Sequence, residues 1–123
     1  MSLIALLIDD SMLVRHTVGR FLEARGFSVE VATDGVAALE ALKNIRPDII
    51  VTDLQMPRLD GYALIDALKA NPETEGIPVL VLAAKPVSGD VKETGAHSII
   101  YKDLNVEEQL VRALGSLFPS SLP

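Results

Sequence analysis

The sequence lacks cysteine, and it lacks any apolar run long enough to cross a lipid bilayer. The first absence excludes disulfide bonds and thiolate metal sites and fits a cytosolic protein. Basic residues are also scarce: 11 of them face 17 acidic residues, leaving a net charge of −6. This charge argues against direct nucleic-acid binding by the domain itself. With no secretory signal in view, we expect a cytoplasmic location and no membrane partner.

What the chain does have is an alternation of short apolar runs with segments of helical periodicity. With 123 residues, 49% of them hydrophobic, it is long enough to bury one substantial core. The alternation is typical of βαβ units, which build a parallel sheet covered by helices on both faces. We predict strands at residues 3–8, 29–31, 49–52, 79–82 and 98–101. The predicted helices follow Ser11, Asp34, Asp60 and Asn105, and Glu108 suggests a capping box in the last one.

The connection between the fourth and fifth predicted strands is less regular. Residues 85–96 include Pro86, Gly89 and Gly95. A parallel crossover with its helix needs at least about 10–12 residues, so the crossover fits. Its helix is then limited to one or two turns near residues 90–94.

Charged residues follow three of the predicted strands. Asp9 and Asp10 end the first strand, Asp53 ends the third, and Lys102 ends the fifth. The carboxyl ends of parallel strands share one edge of the sheet, so these side chains should meet there. Two like charges about 4 Å apart at an effective dielectric near 20 repel by roughly 4 kcal/mol. We therefore predict a functional site in which a divalent cation with oxygen ligands offsets the repulsion.

With these residues in this order, and the run DLQMPRLDG at 53–61, the chain resembles the receiver domain of bacterial two-component response regulators. The resemblance extends from about Leu3 to Leu117. It implies a flavodoxin-like (βα)5 three-layer sandwich with a five-stranded parallel sheet of order 2-1-3-4-5, here with a shortened fourth helix. It places the receiver domain at 3–118 and a tail or the start of a linker at 119–123.

The resemblance also implies roles at the acidic edge. Asp53 is expected to accept a phosphoryl group from a phosphohistidine on a sensor histidine kinase or phosphotransfer protein. Mg²⁺ is the expected cofactor, held by Asp10, Asp53 and the Gln55 backbone carbonyl, and by Asp9 mostly through water. Apart from its own phosphorylation and dephosphorylation, the chain is not expected to be an enzyme.

Other residues are implied to contact the phosphoryl group. Lys102 would pair with one of its oxygens and, before phosphorylation, with Asp53. The Ala84 backbone N–H would donate to it, and the Gln55 side chain would lie near it and influence hydrolysis. The signal would pass by conformational change to a downstream protein or an attached effector domain.

Three positions depart from the family pattern. Ala83 stands where a Ser or Thr usually contacts the phosphoryl group, and Ile99 replaces the aromatic switch residue. Tyr101, one residue before Lys102, is expected to face the other way from that position. Asp103 replaces the proline that commonly follows the lysine, and a cis bond before it would cost roughly 3–4 kcal/mol. We therefore expect phosphorylation at Asp53 with a weaker or different conformational relay.

Other classes of function are also compatible with parts of this sequence. The main alternative is a pseudo-receiver, a protein-interaction domain whose output does not depend on phosphorylation. An aspartate-nucleophile phosphatase is disfavoured because Asp9-Asp10-Ser11 is not a D-x-D pattern. A flavodoxin-type cofactor site is disfavoured because the loop after the first strand lacks a phosphate-cradling run of Gly, Ser and Thr. The cognate kinase, the output and the oligomeric state are left open by the sequence.

Overall fold

Five parallel strands form a single sheet at the centre of the molecule. The computed structural model describes residues 3–56, 58–84, 95–103 and 105–119. The strands lie in the order β2-β1-β3-β4-β5, which confirms the predicted fold class and strand order. Their bounds are β1 (Leu3–Ile8), β2 (Phe27–Ala32), β3 (Ile49–Asp53), β4 (Val79–Ala83) and β5 (Ser98–Tyr101).

Four helices lie within the described residues: α1 (Met12–Ala24), α2 (Gly35–Ala41), α3 (Gly61–Ala70) and α4 (Val106–Leu117). The first three begin where a side chain accepts a backbone hydrogen bond. The N–H groups of Val14, Ala37 and Ala63 donate to Ser11, Asp34 and Asp60 at 3.3, 2.8 and 2.9 Å. The predicted short helix near residues 90–94 lies outside the described residues. Among the helices described here, none is long and apolar enough to span a membrane.

Helix α4 starts differently from the prediction for the last helix. Asn105 is its N-cap, but the Asn105 side chain makes no capping hydrogen bond. The part of the predicted capping box that depends on this side chain is therefore wrong. The backbone of Asn105 has ψ of 85°, short of the extended conformation found at the other three caps. Glu107 and Glu108 still lie in the first turn, where negative charge complements the helix dipole.

Alternate residues of the central strands pack on opposite sides of the sheet. Leu6 and Ile50 belong to a cluster that includes side chains of α2 and α3. Leu7 and Val51 belong to a second cluster that includes side chains of α1 and α4. This period-two alternation produces three layers, with the sheet between two pairs of helices.

The two edge strands differ from the central ones. In β2, Glu30 and Val31 are exposed. In β5, Ile99 and Tyr101 pack against the cluster of α2 and α3, whereas Ile100 belongs to the cluster of α1 and α4. The expectation that Tyr101 faces away from the Ile99 position is therefore wrong, because residues two apart on a strand share a face.

Candidate functional site

Three carboxylates meet at the carboxyl edge of the sheet. Asp9 and Asp10 directly follow β1, and Asp53 is the last residue of the adjacent strand β3. One oxygen from each of these aspartates lies within 4.8 Å of the others. Asp9 is fully buried and Asp53 is 8% exposed, whereas Asp10 is exposed to solvent. The convergence predicted from the strand ends is present in the structure.

Lys102 completes this cluster from the far edge of the sheet. It follows β5, and since β4 lies between β5 and β3, its side chain must reach across the end of β4. The Lys102 Nζ lies 3.1 Å from Asp9 Oδ2 and 3.2 Å from Asp53 Oδ1. One ammonium thus bridges two carboxylates, while a third carboxylate stands beside them.

The surroundings shift the proton affinities of two groups in the cluster. Burial raises the pKa of the Asp53 carboxyl, and the negative charge of Asp9 raises it further. Lys102 and the Leu54 N–H oppose this rise without cancelling it. Burial acts to lower the pKa of Lys102, but its ion pairs with Asp9 and Asp53 outweigh burial and hold the pKa above its ordinary value. The lysine therefore does not fully offset the effect of burial and of Asp9 on the Asp53 carboxyl.

Hydrogen bonds fix the orientation of the two buried carboxylates. Asp53 Oδ1 accepts from the Leu54 N–H at 2.9 Å, and Asp9 Oδ1 accepts from the Ser11 N–H at 2.9 Å. Asp9 Oδ2 is buried and has no hydrogen-bond partner of acceptable geometry among the described residues; Lys102 is its ion-pair partner. A buried anionic oxygen that has an ion pair but no well-aligned hydrogen bond, beside two more carboxylates, fits a hard cation such as Mg²⁺.

A hydrogen bond from α1 supports the first loop of the site. The Arg15 Nη1 donates to the backbone carbonyl of Asp9 at 2.8 Å. It fixes the peptide between the two acids that follow β1. Arg15 was not singled out from the sequence, where an arginine in the first turns of a helix reads as a solvated residue.

The loop after β3 is held by a second contact absent from the predictions. Arg58 donates to Asp34 through Nε at 2.8 Å and through Nη2 at 2.9 Å, and the hydrogen bond with Arg58 is the largest of the causes that lower the pKa of Asp34. Beside this pair, the Gly35 N–H donates to the Leu59 carbonyl at 3.2 Å. The segment that follows Asp53 is thereby docked onto the start of α2. Arg58 has a φ of 67°, a left-handed conformation that is uncommon for a residue with a side chain.

The remaining predicted site residues lie on the segments that follow β3 and β4. Gln55 is exposed two residues after Asp53, and Ala84 is exposed directly after β4. Neither hydrogen-bonds a carboxylate of the cluster among the described residues. Ala83 is 3% exposed and brings no hydroxyl to the site. The Lys102–Asp103 peptide is trans.

This fold, with an acidic cluster and a lysine at the carboxyl ends of its strands, defines a class of signalling domain. The family model of the response regulator receiver domain matches residues 5–114. The chain belongs to the response regulator receiver family and is a receiver domain of the two-component type.

Individual relatives agree with the family. The chain is 41% identical over 110 residues to the response regulator MprA of Mycobacterium sp. (strain KMS), covering 87% of this chain and 47% of that protein. It is 38% identical over 115 residues to a gliding motility regulatory protein of Myxococcus xanthus, covering 91% of this chain and 15% of that protein. The chain thus spans less than half the length of these two curated relatives.

A solved structure shows the same architecture. The signal receiver domain of a signal transduction histidine kinase from Syntrophus aciditrophicus has a TM-score of 0.86 and 31% identity. The alignment covers 96% of this chain and 91% of that one.

Proposed function

We propose that Asp53 is the phosphoacceptor of this receiver domain. The observation that carries the proposal is the arrangement around this one side chain. Asp53 Oδ1 is tied to the Leu54 N–H and lies beside the Lys102 ammonium, whereas Oδ2 makes no hydrogen bond with a described residue. One oxygen is held in place, and the other is left to react.

The phosphoryl donor would be a phosphohistidine on a sensor histidine kinase or a phosphotransfer protein. Asp53 Oδ2 attacks phosphorus in line with the P–N bond and forms an acyl phosphate. The P–N bond breaks with its electron pair going to the imidazole nitrogen, which leaves without any further reactant. The protein contributes orientation and charge neutralisation, the two demands of phosphoryl transfer.

Residues beside Asp53 would stabilise the transferred group. Lys102 would exchange one of its carboxylate contacts for a phosphoryl oxygen, since its Nζ already lies 3.2 Å from Asp53 Oδ1. The Ala84 N–H would donate to the phosphoryl group, and the exposed Gln55 side chain would lie close enough to influence attack by water. Ala83 offers no hydroxyl for this purpose.

We further propose that Asp9, Asp10, Asp53 and the Gln55 carbonyl hold Mg²⁺, with Asp9 acting mostly through water. The bound cation would neutralise charge on the phosphoryl oxygens as they approach three carboxylates. Two observations support this assignment: Asp9 Oδ2 is buried and accepts no well-aligned hydrogen bond among the described residues, and all the donor atoms are oxygens.

The domain would act as a signalling element rather than as an enzyme on other substrates. We place the receiver domain at residues 3–118 and a tail or the start of a linker at 119–123, in the cytoplasm. Its output partner would be a separate protein or an attached effector domain. Because Ala83, Ile99 and Asp103 alter the positions that usually relay phosphorylation, we expect a conformational response weaker than or different from the family's usual one.

The test is Mg²⁺-dependent phosphorylation by acetyl phosphate, followed by intact-mass spectrometry. Wild type should gain one phosphoryl group, and Asp53→Asn should gain none. Asp66→Asn is the matched control, because Asp66 is an exposed aspartate on α3 away from the cluster. Failure of wild type to react, or equal reaction of Asp53→Asn, would refute the proposal.

Two companion measurements complete the test. Calorimetric titration should show Mg²⁺ binding to wild type and much weaker binding to Asp10→Asn, since one of three carboxylates is lost. The second measurement is affinity for a captured partner protein, compared among wild type, Asp53→Asn and wild type treated with the phosphoryl mimic beryllofluoride. A pseudo-receiver would bind the partner equally well in all three cases.

A further inference from the structure

A polar contact on the outer side of the sheet lies next to the candidate site without being part of it. Because β5 is an edge strand, one side of its backbone has no neighbouring strand in the part of the chain that the structure describes. The Gln109 side chain of α4 occupies that side at Tyr101. Its Oε1 accepts from the Tyr101 N–H at 2.8 Å, and its Nε2 donates to the Tyr101 carbonyl at 2.9 Å. This amide pairs with Tyr101 as one residue of a further antiparallel strand would, accepting from its N–H and donating to its carbonyl.

Tyr101, the residue that Gln109 holds, directly precedes Lys102. On the inner side, the Lys102 N–H donates to the Ala83 carbonyl of β4 at 2.8 Å. The backbone from which the lysine side chain departs is thus fixed from both sides, by Gln109 on the outside and by β4 on the inside. Lysine has a long and flexible side chain, so the position of its backbone decides where its ammonium can reach.

Gln109 is itself well anchored. The next residue along α4, Leu110, is fully buried, as is Leu114 one turn later, and both belong to the cluster that packs against the sheet. This packing fixes the rotation of the helix and directs Gln109 at the edge of β5. The Gln109 Nε2 also approaches the Asn105 carbonyl at 3.4 Å, a weaker contact within the helix.

The residue after the lysine supplies no comparable restraint. Asp103 is exposed, and the peptide that joins it to Lys102 is trans. A proline at this position would fix its own φ and restrict the residue before it, whereas an aspartate leaves both freer. The hydrogen bonds between Gln109 and Tyr101 therefore restrain the end of β5, where no proline after Lys102 does so.

We propose that Gln109 is a positioning residue for Lys102, holding the end of β5 so that the Lys102 ammonium reaches Asp9 and Asp53. This inference deepens the proposed function and rests on it, because it concerns the lysine expected to stabilise the transferred phosphoryl group. Gln109 touches neither a carboxylate of the cluster nor the transferred group; it acts through the backbone of Tyr101.

The first experiment is a double-mutant cycle read by the initial rate of phosphorylation from acetyl phosphate with Mg²⁺. Gln109→Leu keeps a side chain of similar size and removes both hydrogen bonds to Tyr101. We expect it to lower the rate about tenfold, as displacement of a group at a reacting centre does. In a Lys102→Met background, the same change should have no further effect, since the lysine to be positioned is absent. Arg112→Leu, an exposed residue on the same helix, is the control and should leave the rate unchanged.

The second experiment does not require phosphorylation. Held between two carboxylates, the Lys102 Cε protons should give separate NMR signals in wild type. In Gln109→Leu they should merge into the averaged signal of a free lysine, while thermal unfolding shows that the variant is folded. Unchanged Lys102 signals would overturn the proposal, even if wild type accepted no phosphate and the proposed function failed.

The phosphorylation experiment distinguishes failure of the proposed function from failure of the positioning role of Gln109. If wild type is phosphorylated and Gln109→Leu reacts at the same rate, the proposed function stands and the role of Gln109 is refuted. If Gln109→Leu lowers the rate equally with and without Lys102, its effect is a general structural one, and the positioning role is also refuted.

Discussion

Arg58 donates two hydrogen bonds to Asp34, which lies 24 residues earlier in the sequence, and so joins the loop after β3 to the start of α2. The Asp34 carboxylate is nearly buried and at the same time caps α2 by accepting from the Ala37 N–H. Asp34 thus connects two segments whose relative position determines where the loop after Asp53 lies.

We predict that Asp34→Asn destabilises the protein at neutral pH. Asparagine is still able to cap α2, so the change removes mainly the charge that pairs with Arg58. Because Arg58 and the Ala37 N–H lower the pKa of Asp34 in the folded state, this stabilisation exists above the ordinary pKa of 3.8 and is lost as pH falls through the lowered value. Thermal unfolding against pH should show the two proteins converging at acidic pH.

A second ion pair provides the control for that prediction. Glu40 lies on α2 and Lys43 just beyond its end; the Lys43 Nζ and the Glu40 Oε1 are 3.1 Å apart, and 69% and 67% of the two side chains are exposed. An exposed pair in high-dielectric solvent contributes little, so Lys43→Ala should leave the melting temperature almost unchanged. An equal effect of both substitutions would mean that the geometry of the Asp34–Arg58 pair adds nothing.

A second prediction concerns the free-energy cost of the Asp53 charge. Burial and the neighbouring Asp9 raise the pKa of Asp53, so the folded state holds its proton more tightly than the unfolded chain does. The contribution of Asp53 to stability is therefore greatest below its ordinary pKa and falls as pH rises through the raised value. Without metal, Asp53→Asn should stabilise the protein at neutral pH by about 1 kcal/mol, a typical single-residue effect.

The pH dependence checks this explanation. In urea unfolding, the advantage of Asp53→Asn over wild type should shrink as pH falls, because wild type then protonates Asp53 and loses the buried charge. Asp66→Asn, on the exposed face of α3, should show no such trend. A stability difference that is constant with pH would mean that charge is not its cause.

A third prediction concerns competition between Lys102 and the metal. The Lys102 ammonium lies within 3.2 Å of oxygens on two of the proposed ligands, Asp9 and Asp53. Lys102→Met keeps most of the side-chain volume and removes the positive charge. Mg²⁺ should then bind about tenfold more tightly, equivalent to about 1.4 kcal/mol, while phosphorylation of Asp53 slows.

Calorimetric Mg²⁺ titration and phosphate incorporation measure the two effects separately. Lys43→Met removes an equal charge from an exposed position and should change neither. If Lys102→Met binds Mg²⁺ no more tightly than wild type does, the lysine does not compete for the carboxylates, and its two short contacts have no bearing on metal affinity.

Features set by local periodicity were predictable from the sequence. Apolar runs predicted all five strands, and the residues Ser11, Asp34 and Asp60 predicted three helix starts. The meeting of Asp9, Asp10, Asp53 and Lys102 followed from the shared carboxyl edge of a parallel sheet. These conclusions depend on secondary structure and on topology, both of which leave repeating patterns in a sequence.

Contacts that depend on the rotation of a side chain were not predictable. Arg58 and Asp34 lie far apart in the chain, and nothing local to either residue indicates the other. Gln109 is one polar residue on an amphipathic helix, where solvent exposure is the ordinary expectation, and only the rotation of α4 against β5 brings it to Tyr101. The capping box failed for a related reason: the pattern at Asn105 and Glu108 is present, but the backbone of Asn105 does not adopt the conformation that the cap requires.

The last prediction concerns Gly61, which lies directly against the end of β3. Its N–H donates to the Leu54 carbonyl at 2.9 Å, and a Cβ added at Gly61 would come within 2.8 Å of the Leu54 Cα. Backbone cannot yield as a flexible side chain does, so Gly61→Ala should cost about 1–3 kcal/mol of stability. Because the Leu54 N–H orients Asp53 Oδ1, the displaced backbone should also weaken Mg²⁺ binding.

Gly115 offers a matched control with the opposite expected sign. It is exposed on α4, and an added Cβ there would meet no atom within 4 Å. Gly115→Ala should therefore stabilise the protein by about 0.5–1 kcal/mol through reduced backbone entropy, with Mg²⁺ affinity unchanged. Urea unfolding and calorimetric Mg²⁺ titration of both variants test the pair. If Gly61→Ala kept wild-type stability and metal affinity, the close approach of α3 to the Asp53–Leu54 backbone would not be a constraint on the site.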